Sequence, residues 1–371
     1  VQIVIRHVFY EATGYGNSAR QIALAMDQAG ADIKLESVGR RDEFLDPSME
    51  SLLQQMENKP YQEDRILLKV GTDLTEEDRR FYRKVVNCSM WETNKAPAPM
   101  ANECHKFDAI ILPNSFNRQA FWDAGVRIPL YIAPYGVDSN LYTSEGVKER
   151  FGEGDNTFLF LSVFGWSYRK GPDVLIKAFL EEFEADEPVA LVVKTHGLDI
   201  QQKPDRDSYD SIVQSVSKSR LPKFNIVTRV MTPDETAAMY RGADCFVLST
   251  RGEGVGLPVL ESMSCGVPVI ATGWSGLVDF LGPDSGYLLP YKLVPAGNVH
   301  YTNLYGEDQF WAEPDQGSLQ NLMRRVYVRR EEAKNKGRKA REMANHWNWN
   351  RTAHAFIDAL EQVAGKPIAR K

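Results

Sequence analysis

Residues 245–261 read CFVLSTRGEGVGLPVLE. CFVLS is a short apolar run of strand character, and Pro258 suits the first turn of a helix. The segment between them is therefore a strand-to-helix loop. Two carboxylates, Glu253 and Glu261, bracket seven uncharged residues, and Arg251 stands just upstream. Gly254 and Gly256 let the backbone approach a ligand closely, and a helix start presents free N–H groups. Acceptor-only carboxylates flanking bare amides suit a polyhydroxylated, phosphorylated ligand. The E-x7-E spacing alone is weak, because an acidic chain contains it by chance and a first-turn acid often serves only the helix dipole. Its context gives it weight.

Outward from this loop, short apolar runs alternate with helical patterns. QIVIRHVF, DIKLESV, RILLKV, VVNCSM, AIILP and LYIAP are strand candidates in the first third. Ala19, Ile22, Ala23 and Met26 recur at helical spacing, and Pro99–Lys106 and Ser115–Gly125 are further helices. Gly39–Asp64 is expected to be a long loop with a helical turn. After Tyr135–Asp138 the pattern restarts with FLFLSVF, ALVVK, FNIVT, CFVLS and VPVIAT. Thr232-Pro233-Asp234-Glu235 forms a capping-box helix start. Tyr291–Pro314 is expected to be irregular, and Leu319–Met343 and Thr352–Val363 helical. Strand–helix alternation implies parallel sheets, so the fold class is α/β with two doubly wound Rossmann-like domains facing across a cleft. The boundaries expected are 1–136, 137–349 and a C-terminal helix, 350–371, packing back on the first domain.

Bulk properties narrow the function. At 371 residues the chain is too long for one ordinary core. A net charge of −6 argues against nucleic-acid binding through a basic surface. No apolar run approaches the roughly 20 residues that span a bilayer. The chain opens on Val rather than Met, and Val1–Val8, carrying Arg6 and His7, does not read as a signal peptide. Cys88, Cys104, Cys245 and Cys265 have no metal-binding spacing and read as reduced thiols of a cytoplasmic protein. No metal site is expected.

Three more loops fall where ligands bind in such sheets. GWSYRKGPD, residues 165–173, follows FLFLSVF, and Pro172 again fits a helix start. Arg169 and Lys170 just before that helix oppose its dipole unless an anion such as phosphate neutralises them. TGYGNSA, residues 13–19, matches G-x-G-x-x-A, with Glu36 at about the distance of a dinucleotide fingerprint. Phe9–Thr13 intervene before Gly14, so the turn is loose, and a flexible backbone rim facing the cleft is the better reading. Trp91-Glu92-Thr93-Asn94 follows VVNCSM: Glu92 could touch an acceptor hydroxyl, or Thr93 or Asn94 could cap a helix.

These residues resemble the retaining nucleotide-sugar glycosyltransferases of the GT-B architecture, glycosyltransferase family 4. The likeness rests on the N-terminal glycine loop, YGVD, RKGPDVLIKAF, the helix before ADCFVLS, and above all EGVGLPVLESMSCGVPVIAT. It implies a sugar moved from a nucleotide diphosphate donor to an acceptor hydroxyl on a saccharide or glycoconjugate, with neither metal nor cofactor. Arg169 and Lys170 would bind the diphosphate and Glu261 the ribose. Glu253 and the amides of Gly254, Val255, Gly256 and Leu257 would hold the sugar, while Val230 and Met231 pack on the base. Gly14 and Gly16 would close on the phosphates. Phe164 stands where many members carry an arginine, and Trp91-Glu92 where many carry a histidine, Glu92 being the substitute contact. Those departures keep a non-catalytic nucleotide-sugar-binding subunit as the alternative, ahead of a nicotinamide oxidoreductase. The expected location is cytoplasmic. Peripheral membrane contact is compatible with this reading, although no strongly basic amphipathic helix marks it.

Overall fold

The computed structural model describes residues 1–42, 45–198, 203–297 and 305–368. The chain divides into two compact units, one of Val1–Gly136, Asn303–Gln309 and Trp347–Lys371, the other of Val137–Thr302 and Phe310–His346.

The first unit runs β1 (Gln2–His7), α1 (Gly14–Gln28), β2 (Ile33–Ser37), α2 (Pro47–Glu57), β3 (Arg65–Val70), α3 (Glu76–Phe81), β4 (Lys84–Cys88), α4 (Ala98–Cys104), β5 (Ala109–Leu112), α5 (Ser115–Asp123) and β6 (Leu130–Ile132). The six strands form one parallel sheet, in the order β2-β1-β3-β4-β5-β6. Central strands covered on both faces carry continuous apolar runs, as Ile3–Ile5 and Ile66–Leu68 do. The strand order reverses between β1 and β3, so the loop after β1 opens at a topological switch point. The C-terminal helix of the chain, here α12 (Trp349–Ala364), belongs to this unit and packs on α1. Phe356, Ile357 and Leu360 are fully buried, each side chain contributing about 1.5–3 kcal/mol. Asn348 caps the helix start, and Thr352 Oγ1 donates to the Pro134 carbonyl at 2.7 Å.

The second unit runs β7 (Phe158–Gly165), α6 (Pro172–Glu182), β8 (Val189–His196), α7 (Lys203–Gln214), β9 (Lys223–Val227), α8 (Pro233–Gly242), β10 (Cys245–Leu248), α9 (Leu257–Ser264), β11 (Val269–Thr272), β12 (Tyr287–Leu289), β13 (Tyr291–Pro295), β14 (Phe310–Pro314), α10 (Gln316–Val328) and α11 (Arg330–Ala344). Its parallel sheet has the order β12-β11-β10-β7-β8-β9, reversing between β7 and β10. Phe160 meets Phe179 and Phe183 on the α6 face, and Phe246 meets Tyr240 of α8 on the other.

Several expectations change. Gly39–Asp64 contains a three-turn helix, α2, started by Asp46 and Pro47 and burying Leu53 and Met56, although 43–44 lie outside the described residues. Within Tyr291–Pro314 the ends pair as the antiparallel strands β13 and β14; 298–304 lie outside the described residues. Leu319–Met343 is helical as expected, and Arg329, at φ −102° and ψ 58°, divides it into α10 and α11. Thr93 and Asn94 do not cap α4, whose N-cap is Pro97 without a side-chain bond. The capping box of Thr232 and Glu235 is present, with both reciprocal bonds made.

The glycines of TGYGNSA form no loop. They lie in the first turn of α1, where the Thr13 side chain accepts from Gly16 N at 3.1 Å. A Cβ on Gly16 would stand 2.2 Å from the Glu11 carbonyl oxygen, whereas Gly14 has open space around it. Gly16→Ala is therefore expected to cost about 1–3 kcal/mol, the scale of overpacking, with Gly14→Ala close to neutral. Comparing the two melting temperatures checks this.

Candidate functional site

The loops after β7 and β10 flank the second unit's switch point, where ligands bind in doubly wound sheets. Their backbones are locked together. Arg251 N donates to the Arg169 carbonyl at 2.6 Å, and Ser249 Oγ donates to the Gly171 carbonyl at 3.0 Å. Gly171 has φ +68°, and a Cβ there would lie 2.0 Å from the Ser249 carbonyl oxygen, so only glycine fits. Helices α6 and α9 start from Gly171 and Gly256 without side-chain caps, whereas α1, α5 and α8 are capped by Thr13, Asn114 and Thr232. Uncapped starts leave the helix's positive end available to an anion.

Between these helix starts, Lys170 Nζ donates to both Glu253 oxygens at 2.7 Å. Arg169 donates to the Gly252 carbonyl at 2.5 Å and lies 3.9 Å from Glu253. Burial alone would push the Glu253 carboxyl up. Lys170 and then Arg169 outweigh it, so the group lies below its ordinary value and is an anion at neutral pH. Glu253 N donates to Ser275 Oγ at 2.9 Å, and Gly276 N donates to the Glu253 carbonyl at 3.1 Å. Ser275 sits at φ +69°, an uncommon backbone for a residue with a side chain, and it braces the loop from beyond β11.

Arg251 anchors the whole assembly. It is 1% exposed, with bidentate bonds to Asp173 at 2.9 and 2.7 Å and to Glu313 at 2.6 and 2.8 Å. Its guanidinium also donates to the Tyr168 carbonyl at 2.6 Å and lies 3.6 Å from the centre of that ring. Asp173 is in the first turn of α6 and Glu313 in β14, so one side chain ties three elements. Sequence reading assigned it no role. The signal was an arginine two residues before Glu253, but its partners could not be read locally.

Glu261, one turn into α9, accepts from Tyr240 OH at 2.8 Å and is also held by Tyr142. Burial raises its carboxyl to about 7 despite both phenols. Because the fold favours the protonated form, its stabilising effect is complete below the unfolded value near 4.5 and is lost as pH rises through about 7. Wild type should thus lose stability relative to Glu261→Gln between pH 5 and 8, read as converging or crossing melting temperatures; a constant difference would contradict the shift.

The structure brings Arg169, Lys170 and Glu253 together, with Gly254, Val255, Gly256 and Leu257 continuing the same loop into α9. Val230, 71% exposed, and Met231 lie in the loop from β9 to α8. Gly14, Gly16 and Glu92 belong to the first unit, the glycines after β1 and Glu92, half-buried, after β4. The dinucleotide reading loses its acid: Glu36 is held by Arg6 at 2.7 Å, by Tyr61 OH at 2.7 Å and by Tyr82 OH. All four cysteines are free and buried. Among the described residues no group of three or more His, Cys, Asp or Glu is placed to hold a metal ion, and no helix is long and apolar enough to cross a membrane.

Two parallel α/β sheets with this topology define the GT-B fold. HepE from Anabaena, solved with UDP and glucose, aligns over 97% of this chain and 99% of its own, with a TM-score of 0.66 and 15% identity. Residues 155–299, wholly within the second unit, match the family model described as glycosyl transferases group 1. The fold is thus GT-B, and the likeness to glycosyl transferases group 1 falls on the unit that carries these loops. Alpha-monoglucosyldiacylglycerol synthase of Streptococcus pneumoniae is 28% identical over 177 residues, 46% of this chain and 38% of that protein. D-inositol 3-phosphate glycosyltransferase of Corynebacterium aurimucosum is 28% identical over 175 residues, 45% of this chain and 41% of its own. The aligned part thus spans about two fifths of these relatives.

Proposed function

We propose that the protein is a retaining, metal-independent glycosyltransferase of family 4, moving a sugar from a nucleotide diphosphate donor to a hydroxyl on a saccharide or glycoconjugate. One observation carries the reading: the Lys170–Glu253 pair, its carboxylate buried and its ammonium half-buried, lies with Arg169 between two uncapped helix starts. Glu253 compensates the Lys170 charge. A diphosphate arriving at the helix starts gives Lys170 a second anion and leaves Glu253, kept ionised, to accept from the sugar's hydroxyls. The UDP and glucose held by HepE support the same donor class, and the names of the relatives support sugar transfer.

In this reaction the bond from the anomeric carbon to the phosphate oxygen breaks as the acceptor oxygen bonds to that carbon from the same face. The acceptor's proton passes to a phosphate oxygen. Arg169 and Lys170 stabilise the charge left on the diphosphate, so the chain contributes positioning and electrostatics rather than a nucleophile. Glu92 is assigned to the acceptor hydroxyl.

A thermal-shift panel of nucleotide diphosphate sugars identifies the donor, because a ligand that binds only the folded state raises the melting temperature. Lys170→Ala should then weaken nucleoside diphosphate binding by roughly 10- to 100-fold, the scale of a charge-assisted hydrogen bond. Calorimetry showing unchanged affinity would count against the phosphate assignment.

A further inference from the structure

Lys194 lies at the carboxyl end of β8, registered between Val163 of β7 and Val227 of β9. Strand alternation puts it on the face opposite α6, the face on which α8 packs and Tyr240 holds Glu261. It is half-buried. Its ammonium donates to the Thr195 carbonyl at 3.2 Å and meets no carboxylate among the described residues. Its basic neighbours differ: Lys170 is matched by Glu253 at 2.7 Å and Arg229 by Glu235 at 2.8 Å. Burial, then Arg229, lowers the Lys194 pKa from its ordinary value. A half-buried ammonium with one carbonyl partner and no carboxylate among the described residues keeps N–H donors for a ligand that supplies lone pairs, which would offset the cost of its partial burial.

Its surroundings say which kind of ligand group. The exposed His196 ring lies against Gly165, where a Cβ would come within 2.9 Å of Nε2. Although the residue as a whole is exposed, its ring is covered on the Gly165 side, and that burial first, with Lys194 and Lys170 adding to it, lowers its pKa and keeps the ring neutral. Val230, on the loop after β9, offers an exposed apolar side chain. A planar neutral ring, an apolar contact and one ammonium suit a flat heterocycle with a carbonyl edge better than a phosphate, whose cations stand at the β7–β10 edge.

We propose that Lys194 donates to a carbonyl oxygen of the donor's nucleobase, so that the site selects uracil or guanine nucleotides over adenine. Adenine carries an amino group, a donor, where guanine carries O6. The inference rests on the donor site proposed above and names the base it takes.

Calorimetry with UDP, GDP, ADP and inorganic pyrophosphate, on wild type and Lys194→Met, tests it. Wild type should bind UDP or GDP roughly 10- to 100-fold more tightly than ADP, the scale of a hydrogen bond to a charged group. Lys194→Met, folded by its melting curve, should lose that preference while pyrophosphate affinity stays unchanged. Lys194→Arg, which keeps N–H donors, should retain part of it. Equal wild-type affinities for the three nucleotides, or an equal loss for pyrophosphate in Lys194→Met, would overturn the inference and leave the donor site standing. Wild type binding none of the four would overturn the donor site itself, and this inference with it.

Discussion

Glu253→Gln is expected to lower turnover by about 10²–10³, the scale for losing one preorganised polar contact, with little change in fold. Glu253 is 5% exposed and held ionised by Lys170 and Arg169. Its backbone is fixed independently of the carboxylate, through Ser275 and Gly276. The amide keeps the size and one acceptor oxygen, so the loop should hold its shape, while the anion that orients the sugar and balances Lys170 is gone. Steady-state kinetics with the donor found by the panel separates the alternatives. Near-normal turnover would remove Glu253 from the site, whereas a loss matched by a lower melting temperature would make it structural.

Arg251→Met should destabilise the second unit by about 3 kcal/mol, the lower end of the range for breaking a buried ion pair. The lower end applies because Asp173 and Glu313, at 36% and 35% side-chain exposure, can regain water once the guanidinium is gone. Against a total stability of roughly 5–15 kcal/mol this is a large fraction. Arg251→Lys keeps the charge but cannot fork to two carboxylates, so it should fall between. The urea midpoint reads both, and a loss below about 1 kcal/mol for Arg251→Met would show that the loops hold without this clamp.

What the sequence disclosed was local. The strand CFVLS, the helix start at Pro258 and the Thr232–Glu235 box each follow from a few adjacent residues, and each is present. Arg251 was visible, yet its two carboxylates lie 78 and 62 residues away, beyond any local pattern. Strand β13 went unread because its partner β14 begins only at Phe310, far beyond the length of a hairpin loop, so no local turn signal links the two. The break at Arg329 lies in a charged stretch whose composition suits a continuous helix, so only the backbone reveals it. By contrast α2 carried readable signals in Asp46 and Pro47, but its two buried side chains were too few to stand out as an apolar face. The glycines at 14 and 16 were misread because their pattern is that of a loop, whereas Gly16 is required by close packing on the Glu11 backbone.

The most direct test is a crystal structure of the protein grown with UDP, with GDP and with ADP in turn. The diphosphate is expected at the starts of α6 and α9, within hydrogen-bond reach of Arg169 and Lys170, with the ribose on Glu261. A diphosphate lodged instead at the start of α1, or no nucleotide bound from any of the three, would contradict it.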